Sequence, residues 1–145
     1  MNYFIAKTVE TEFTRLSFVA PFSSTNDGPG AIIHRCFDRV GDTELHGIDY
    51  QGELDVQVIL DLQHPECECE EVTFESVADR LKACRFASEI NADTVGAIRS
   101  QYSVDTELKI MKMDPASLEY LQMIAWIDDC RSVGNAKKIA MGIKQ

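Results

Sequence analysis

The chain contains 145 residues, 24 of them acidic and 14 basic, which gives a formal net charge of −10 at pH 7. A chain of this length can bury enough apolar surface to fold without disulfides or metals. No run of 18 apolar residues is present, so no membrane span is expected. The net negative charge argues against sequence-independent binding of nucleic acids, which needs clustered Lys and Arg. The N-terminus lacks the pattern of a signal peptide, so a cytoplasmic protein is expected.

The first part of the chain predicts an antiparallel sheet. The clearest alternation of apolar and polar residues lies in residues 53–62, which we pair with residues 43–50 in a hairpin joined at Gln51-Gly52. Residues 31–40 fit either a strand or a helix. The remaining segments are predicted as strands over residues 3–10 and 13–20 and a turn-rich loop over residues 21–30.

The second part of the chain predicts helices, because residues that cap helix N-termini precede four apolar-periodic segments. The predicted helices cover residues 74–89 after Thr73, 92–102 after Asn91, 104–113 after Ser103, and 115 to about 133 after Asp114. Gly134-Asn135 predicts the end of the last helix or a kink in it.

These elements predict an α+β fold, in which an N-terminal antiparallel β-sheet of about four to five strands is followed by three to four α-helices. We place a β region at residues 1–62, an acidic connector at 63–73 and a helical region at 74–145. The three parts are expected to form one compact domain.

The last predicted helix is apolar on nearly all sides. Its apolar surface is therefore wider than one face of a sheet should cover. Trp and Tyr are favoured anchors of protein interfaces, because they bury a large area at a small entropic cost. We therefore predict that this helix forms an oligomer or binds a protein partner. The predicted interface residues are Leu118, Tyr120, Met123, Ile124, Trp126 and Ile127. The alternative is that Trp126 belongs to the core.

Metal ligands lie close together in the sequence only at His64, Cys67 and Cys69. Imidazole and thiolate suit zinc, yet a structural zinc site normally draws paired ligands from two separate turns, and no second pair is present. The five cysteines are expected to be reduced thiols. No nucleophile, nucleotide or hydrolase motif occurs, so the sequence predicts no catalytic residue, no cofactor and no metal, with these three residues as the metal-site alternative.

A resemblance concerns the C-terminal third. The phrase AIRSQYSVDTELKIM over residues 97–111 is followed by Tyr120 and then by WIDDCR over residues 126–131. This pattern resembles the C-terminal helices of small proteins encoded in phage and prophage tail regions, which read IRxxYSxxDELxxLR before an aromatic-rich helix ending in a VEECR-like phrase. The resemblance implies a structural or accessory role and carries no catalytic residue.

Three functions follow from these observations. The first is a non-enzymatic phage or prophage structural or assembly accessory protein of the tail region, which acts through contacts with a protein partner or with itself, in the cytoplasm of a bacterial host or in the virion. The second is a small acidic inhibitor or decoy that binds a basic surface of a host protein. The third is a metal-stabilised module that uses His64, Cys67 and Cys69.

Overall fold

The computed structural model describes residues 1–21, 31–50 and 55–145 of the chain. The chain forms two compact units, Met1–Cys84 and Arg85–Gln145, which we call unit 1 and unit 2. An antiparallel sheet in unit 1 and helices after it confirm the predicted α+β class. The limits predicted at residues 62 and 73 remain predictions about domain organisation. Among the described helices, none combines the length and the apolar character that a bilayer crossing requires.

The strands of unit 1 pair in two antiparallel sheets. The described strands are β1 (Asn2–Lys7), β2 (Val9–Glu10), β3 (Arg15–Leu16), β4 (Ile32–Val40), β5 (Thr43–Tyr50) and β6 (Glu70–Val72). The main sheet has the order β4-β5-β1-β6, and β2 pairs only with β3. Of the strand predicted over residues 13–20, only Arg15–Leu16 forms a strand. Residues 31–40, which fit either a strand or a helix, contain the edge strand β4.

The tight hairpin of the main sheet joins β4 to β5. Gly41 has a φ of 62°, which a residue without a Cβ adopts at little cost. The Thr43 hydroxyl donates a hydrogen bond to Val40 O at 2.9 Å across this turn. The predicted turn at Gln51-Gly52 and nearly all of the predicted 21–30 loop lie outside the described residues.

The segment predicted as the second strand of a hairpin, residues 53–62, is helical where the structure describes it. Helix α1 (Val56–Asp61) begins after Asp55, whose carboxylate accepts a hydrogen bond from Gln57 N at 3.0 Å. The strand prediction is wrong because the run is apolar at both strand and helix spacing, so periodicity alone could not separate the two structures. The Asp55 side chain, which caps the N-terminus of the helix, favours the helical structure of this segment.

The first face of the main sheet, which positions the site described below, carries an apolar cluster. Phe4, Ala6 and Ile48 pack there with Phe18 and with Ile59 of α1. Opposed residues of neighbouring antiparallel strands share a face. Because Phe4 lies opposite His46 in the β1–β5 pairing, the His46 side chain belongs to this face as well.

The second face carries Tyr3, whose ring centroid lies 6.2 Å from that of Phe37 and 5.9 Å from that of Phe74. Phe74 begins helix α2 (Phe74–Ala83), which Thr73 caps as predicted by accepting a hydrogen bond from Ser76 N. Val77 and Leu81 of this helix are buried. Helix α2 ends earlier than predicted, at Ala83, because the next residue, Cys84, has an extended backbone with ψ of 160°.

Unit 2 consists of three helices, α3 (Arg85–Gln101), α4 (Val104–Ile110) and α5 (Leu118–Ala140). The predicted cap at Asn91 is wrong, because Asn91 lies inside α3 and its side chain accepts a hydrogen bond from Lys138 of α5 at 2.6 Å. The predicted cap of α4 is confirmed, since Ser103 Oγ accepts a hydrogen bond from Thr106 N at 3.2 Å. The core of the unit contains Ile110, Met123 and Ile127, against which Ile98, Tyr102 and Tyr120 pack.

Helix α5 differs from its predicted limits at both ends. It begins after Ser117, and Asp114 instead accepts a hydrogen bond from Ala116 N at 2.9 Å in the turn before the helix. It continues through Gly134 to Ala140. A Cβ on Gly134 would clash with the Thr94 hydroxyl of α3. The glycine therefore permits a close approach of two helices and does not end one.

Candidate functional site

The residues predicted as an interface on α5 lie on more than one side of this helix. Met123 and Ile127 belong to the core of unit 2, and Tyr120 packs against them. Leu118 is 67% exposed and Ile124 is 37% exposed. The remaining member, Trp126, is half-buried.

Exposed apolar side chains are concentrated between the start of α4 and the first half of α5. Val104, Leu108 and Met111 follow one another at spacings of four and three residues, so they share a side of α4. We define the α4–α5 apolar segment as the seven large apolar residues of this stretch that are exposed: Val104, Leu108, Met111, Met113, Leu118, Leu121 and Ile124. Apolar surface of this density commonly marks an interaction site.

Trp126 lines a groove of about 250 Å³ between α3 and α5. Ala97 and Cys130 contribute to its wall, and Gly134 lies at the close approach of the helices. The indole Nε1 is buried and has no hydrogen-bond partner among the described residues. Trp126 is thus neither a fully enclosed core residue nor a freely exposed anchor.

The charge of the chain is divided unequally between the two units. Unit 1 contains sixteen acidic and six basic residues, so it carries the whole net charge of −10. Unit 2 contains eight residues of each sign and is formally neutral. Three of the lysines near the C-terminus lie beside polar or acidic partners within unit 2: Lys137 beside Asp93, Lys138 beside Asn91 and Lys144 beside Asn135.

The three candidate metal ligands of the acidic connector are not brought together. His64 Nδ1 accepts a hydrogen bond from Glu66 N at 3.3 Å and so caps the short 3₁₀ helix Pro65–Cys67. Cys67 is fully buried, while Cys69 packs against the apolar cluster of the first sheet face. Burial raises the pKa of the Cys69 thiol to about 11, so it is neutral near pH 7.

A different set of polar side chains converges on the first face of the sheet. His34 and Cys36 of β4 lie beside Glu44 and His46 of β5, and Arg15 of β3 reaches the same place. We call these five residues the His–Glu cluster. Its donor atoms from Cys36, Glu44 and His46 all lie within 4.8 Å of one another, and the described residues contain no other such group of three.

Hydrogen bonds connect four members of the His–Glu cluster in a row. His34 Nε2 lies 3.0 Å from His46 Nδ1, and His46 Nε2 lies 3.1 Å from Glu44 Oε2. Arg15 Nη2 donates to Glu44 Oε1 at 3.1 Å. Neutral imidazoles satisfy this row if each histidine donates from Nε2, which makes His46 Nδ1 an acceptor.

An aromatic ring covers the two histidines. The Phe18 ring is stacked on His46 at a centroid distance of 4.3 Å and on His34 at 5.5 Å. Glu44 and His46 are buried beneath it, whereas His34 and Cys36 on the edge strand are exposed. The His–Glu cluster therefore extends from the solvent to the interior of unit 1.

The surroundings favour the neutral forms of His34, Cys36 and His46. Burial, followed by the neighbouring His34 ring, lowers the pKa of His46 to about 4. Partial burial also lowers the pKa of His34 below its ordinary value. For the Cys36 thiol, partial burial and the Glu44 and Asp38 carboxylates raise the pKa. A free thiolate nucleophile is thus disfavoured, and both ring nitrogens of His46 already have partners.

The sequence interpretation missed the His–Glu cluster, although a signal for it exists. His34-x-Cys36 and Glu44-x-His46 both have the spacing of two that places side chains on one face of a strand. The sequence leaves residues 31–40 open between strand and helix, and it predicts residues 53–62 as the partner of residues 43–50, whereas β5 pairs with β4 and β1. Without the β4–β5 register, the sequence does not show that His34-x-Cys36 and Glu44-x-His46 lie side by side on neighbouring strands.

Searches of protein-family models, curated proteins and solved structures found no match to this chain.

Proposed function

We propose that the protein is a non-enzymatic interaction protein whose α4–α5 apolar segment binds a second copy of the chain. One observation carries this proposal: seven large apolar side chains between Val104 and Ile124 are each at least 37% exposed. Isolated exposed apolar residues are ordinary, but such a concentration is a liability for a monomer.

Burial of the apolar segment supplies a free energy comparable to the cost of association. Burying the exposed half of a large aliphatic side chain contributes roughly 1 kcal/mol. A two-fold contact presents the segment twice, so the gross gain is on the order of 10 kcal/mol. That gain lies within the range of about 4–15 kcal/mol that association costs in lost freedom. A weak to moderate, concentration-dependent dimer is therefore expected.

The charge distribution favours a second copy as the partner. Unit 2 carries eight acidic and eight basic residues and so does not repel another copy of itself, despite the net charge of −10 on the whole chain. A self-complementary contact between two copies of unit 2 is therefore not opposed by a net charge on that unit.

The biological setting is proposed from the resemblance of residues 97–131 to small phage and prophage tail-region proteins. Self-association through helices suits a structural or assembly accessory of the tail, in the cytoplasm of a bacterial host or in the virion. The resemblance lies in the same helices that carry the α4–α5 apolar segment.

The test is sedimentation velocity of the wild type and two variants over a wide range of concentrations. Leu121 and Ile139 lie on the same helix and are each 54% exposed, but only Leu121 belongs to the segment. Leu121→Asp is expected to shift the protein to monomer, and Ile139→Asp is the matched control that should associate as the wild type does. A wild type that stays monomeric at the highest concentration, or equal effects of the two substitutions, would contradict the proposal.

A second candidate rests on unit 1, which carries the whole net charge of −10. A surface with this charge suits an inhibitor or decoy that binds a basic protein surface. Ionic strength separates the two candidates, because salt screens contacts between exposed charges and leaves apolar association intact. Association that persists in high salt supports contact through α4–α5.

A further inference from the structure

The His–Glu cluster has no role in the proposed self-association, and its polar residues occupy costly positions. Glu44 and His46 are 7% and 3% exposed and lie on the sheet face that also carries Phe4 and Ile48. Burying a carboxylate and a neutral imidazole costs free energy that their hydrogen bonds only offset, whereas apolar residues of similar volume would carry no such cost. Stability alone therefore does not explain why a carboxylate and an imidazole stand here.

We propose that Cys36, Glu44 and His46 form a binding site for zinc or a similar borderline divalent cation, with a fourth coordination position open to solvent. A thiolate, an imidazole and a carboxylate together suit Zn²⁺. Mg²⁺ and Ca²⁺ prefer sets of oxygen ligands, and this cluster offers one carboxylate.

The geometry of the donors is close to that of a tetrahedral site. Metal–ligand bonds of about 2.0–2.1 Å place two ligands of a tetrahedron roughly 3.3 Å apart. Glu44 Oε2 and His46 Nε2 are 3.1 Å apart, so a cation can join both with little movement. The Cys36 sulfur lies within 4.8 Å of the other two donors. Its side chain is exposed on the edge strand β4, and its thiol contacts Asp38 O at 3.7 Å, a weak bond that metal binding would replace.

Both buried ligands have partners that would orient them. A histidine ligand usually donates its second ring N–H to a neighbouring group, and His46 Nδ1 lies 3.0 Å from His34 Nε2. With the cation on His46 Nε2, the Nδ1–H donates to His34 and the histidines exchange tautomers without gaining charge. Arg15 holds the other oxygen of Glu44 at 3.1 Å. His34 and Arg15 are thus positioning residues and not ligands.

Access to the site comes from the exposed edge strand. Cys36 and His34 are exposed, whereas the Phe18 ring shields His46 at 4.3 Å. Three protein ligands and one open side correspond to zinc sites that keep a water in the fourth position. Binding converts the Cys36 thiol to a thiolate, so about one proton is released for each cation bound.

Cobalt is the most direct probe, because Co²⁺ replaces Zn²⁺ and gives a charge-transfer absorption band only when a thiolate is bound. The reduced, chelator-treated full chain is titrated with Co²⁺ and then with Zn²⁺. We expect one equivalent of Co²⁺ to produce the band and Zn²⁺ to abolish it. Cys36→Ser is expected to lose the band, and Cys69→Ser, near the other candidate cluster, is the control that keeps it.

His34→Gln tests the positioning residue. It is expected to keep the charge-transfer band and to weaken cobalt affinity by roughly 10–100-fold, the usual effect of losing an orienting partner. A variant that binds as tightly as the wild type would remove His34 from this role.

The assignment of the site fails if the folded wild type gives no band, if Cys36→Ser retains it, or if Cys69→Ser loses it. Should Cys36→Ser not fold, as judged by circular dichroism, alkylation of wild-type thiols decides instead. Zn²⁺ must then slow the modification of Cys36, as measured by peptide mass spectrometry, and an unprotected Cys36 contradicts the proposal.

Discussion

The environment of His46 favours its uncharged form, because the ring is buried under Phe18 and beside a second histidine. Burial first, and His34 next, lower the pKa of His46 to about 4, while Glu44 acts in the opposite direction. The unfolded chain should titrate near the ordinary value of about 6.5. Between these two values the unfolded chain binds a proton that the folded chain does not.

This difference predicts a loss of stability on acidification. Above pH 6.5 both states hold a neutral His46 and the effect is absent. As the pH falls from 6.5 to about 4, the free energy of unfolding should decrease by up to about 3 kcal/mol, and it should level off below pH 4. Urea unfolding in the presence of a chelator, for the wild type and His46→Gln, isolates this contribution from that of the carboxylates. Parallel pH profiles of the two proteins would exclude it.

At the scale of elements, the packing of α3 against α5 depends on Gly134. A Cβ at this position would approach the Thr94 hydroxyl inside the 3.0 Å limit of real contacts. The Thr94 hydroxyl is itself held by donating to Ile90 O at 2.8 Å. Gly134→Ala is therefore expected to lower the free energy of unfolding by about 1–3 kcal/mol, the usual cost of overpacking.

Gly96 supplies the matched control for that substitution, because it lies within α3 and has open space around it. Gly96→Ala should raise the free energy of unfolding by about 0.8–1 kcal/mol through helix propensity alone. Thr94→Ala combined with Gly134→Ala should recover much of the loss. If Gly134→Ala stabilises the protein as Gly96→Ala does, the two helices are not in close contact there. Thermal unfolding followed by circular dichroism measures all three variants.

The elements also show what the sequence could and could not reveal. Thr73 and Ser103 cap their helices as predicted, because a side-chain oxygen just before an apolar stripe acts locally. Asn91 is not a cap because α3 already begins at Arg85, and the Asn91 side chain instead accepts a hydrogen bond from Lys138. Periodicity could not separate strand from helix over 53–62, where a capping aspartate decided. The His–Glu cluster depends on the β4–β5 register, which can be derived only once residues 31–40 are assigned to a strand.

At the scale of the whole molecule, each unit buries a core of its own. In unit 1, Phe4, Ile48 and Ile59 are buried on one face of the sheet, and α2 contributes Val77 and Leu81. In unit 2, Ile110, Met123 and Ile127 form a buried cluster between α4 and α5. The strand β6 pairs with β1, so residues 70–72 are part of the sheet although they lie in the acidic connector predicted at 63–73.

These facts predict where the chain can be cut. A fragment of residues 1–84 retains all four strands of the main sheet and both α-helices described in unit 1, so it should unfold cooperatively in urea. A fragment of residues 1–63 lacks β6 and α2. It keeps β5 beside β1 but lacks the second strand that pairs with β1, and it lacks two side chains that are almost fully buried, Val77 and Leu81. Losing two such core residues removes roughly 3–6 kcal/mol of burial, comparable to the whole stability of a small domain.

The shorter fragment should accordingly give a broad, non-cooperative urea transition and poorly dispersed amide NMR signals, while the longer one gives a sharp transition and dispersed signals. Residues 85–145 serve as the companion fragment, since they contain α3, α4 and α5 complete. A cooperative transition of residues 1–63 would mean that β6 and α2 are dispensable for the sheet. A non-cooperative transition of residues 1–84 would mean instead that unit 1 needs unit 2 to fold, because everything that unit 1 buries within itself is present in that fragment.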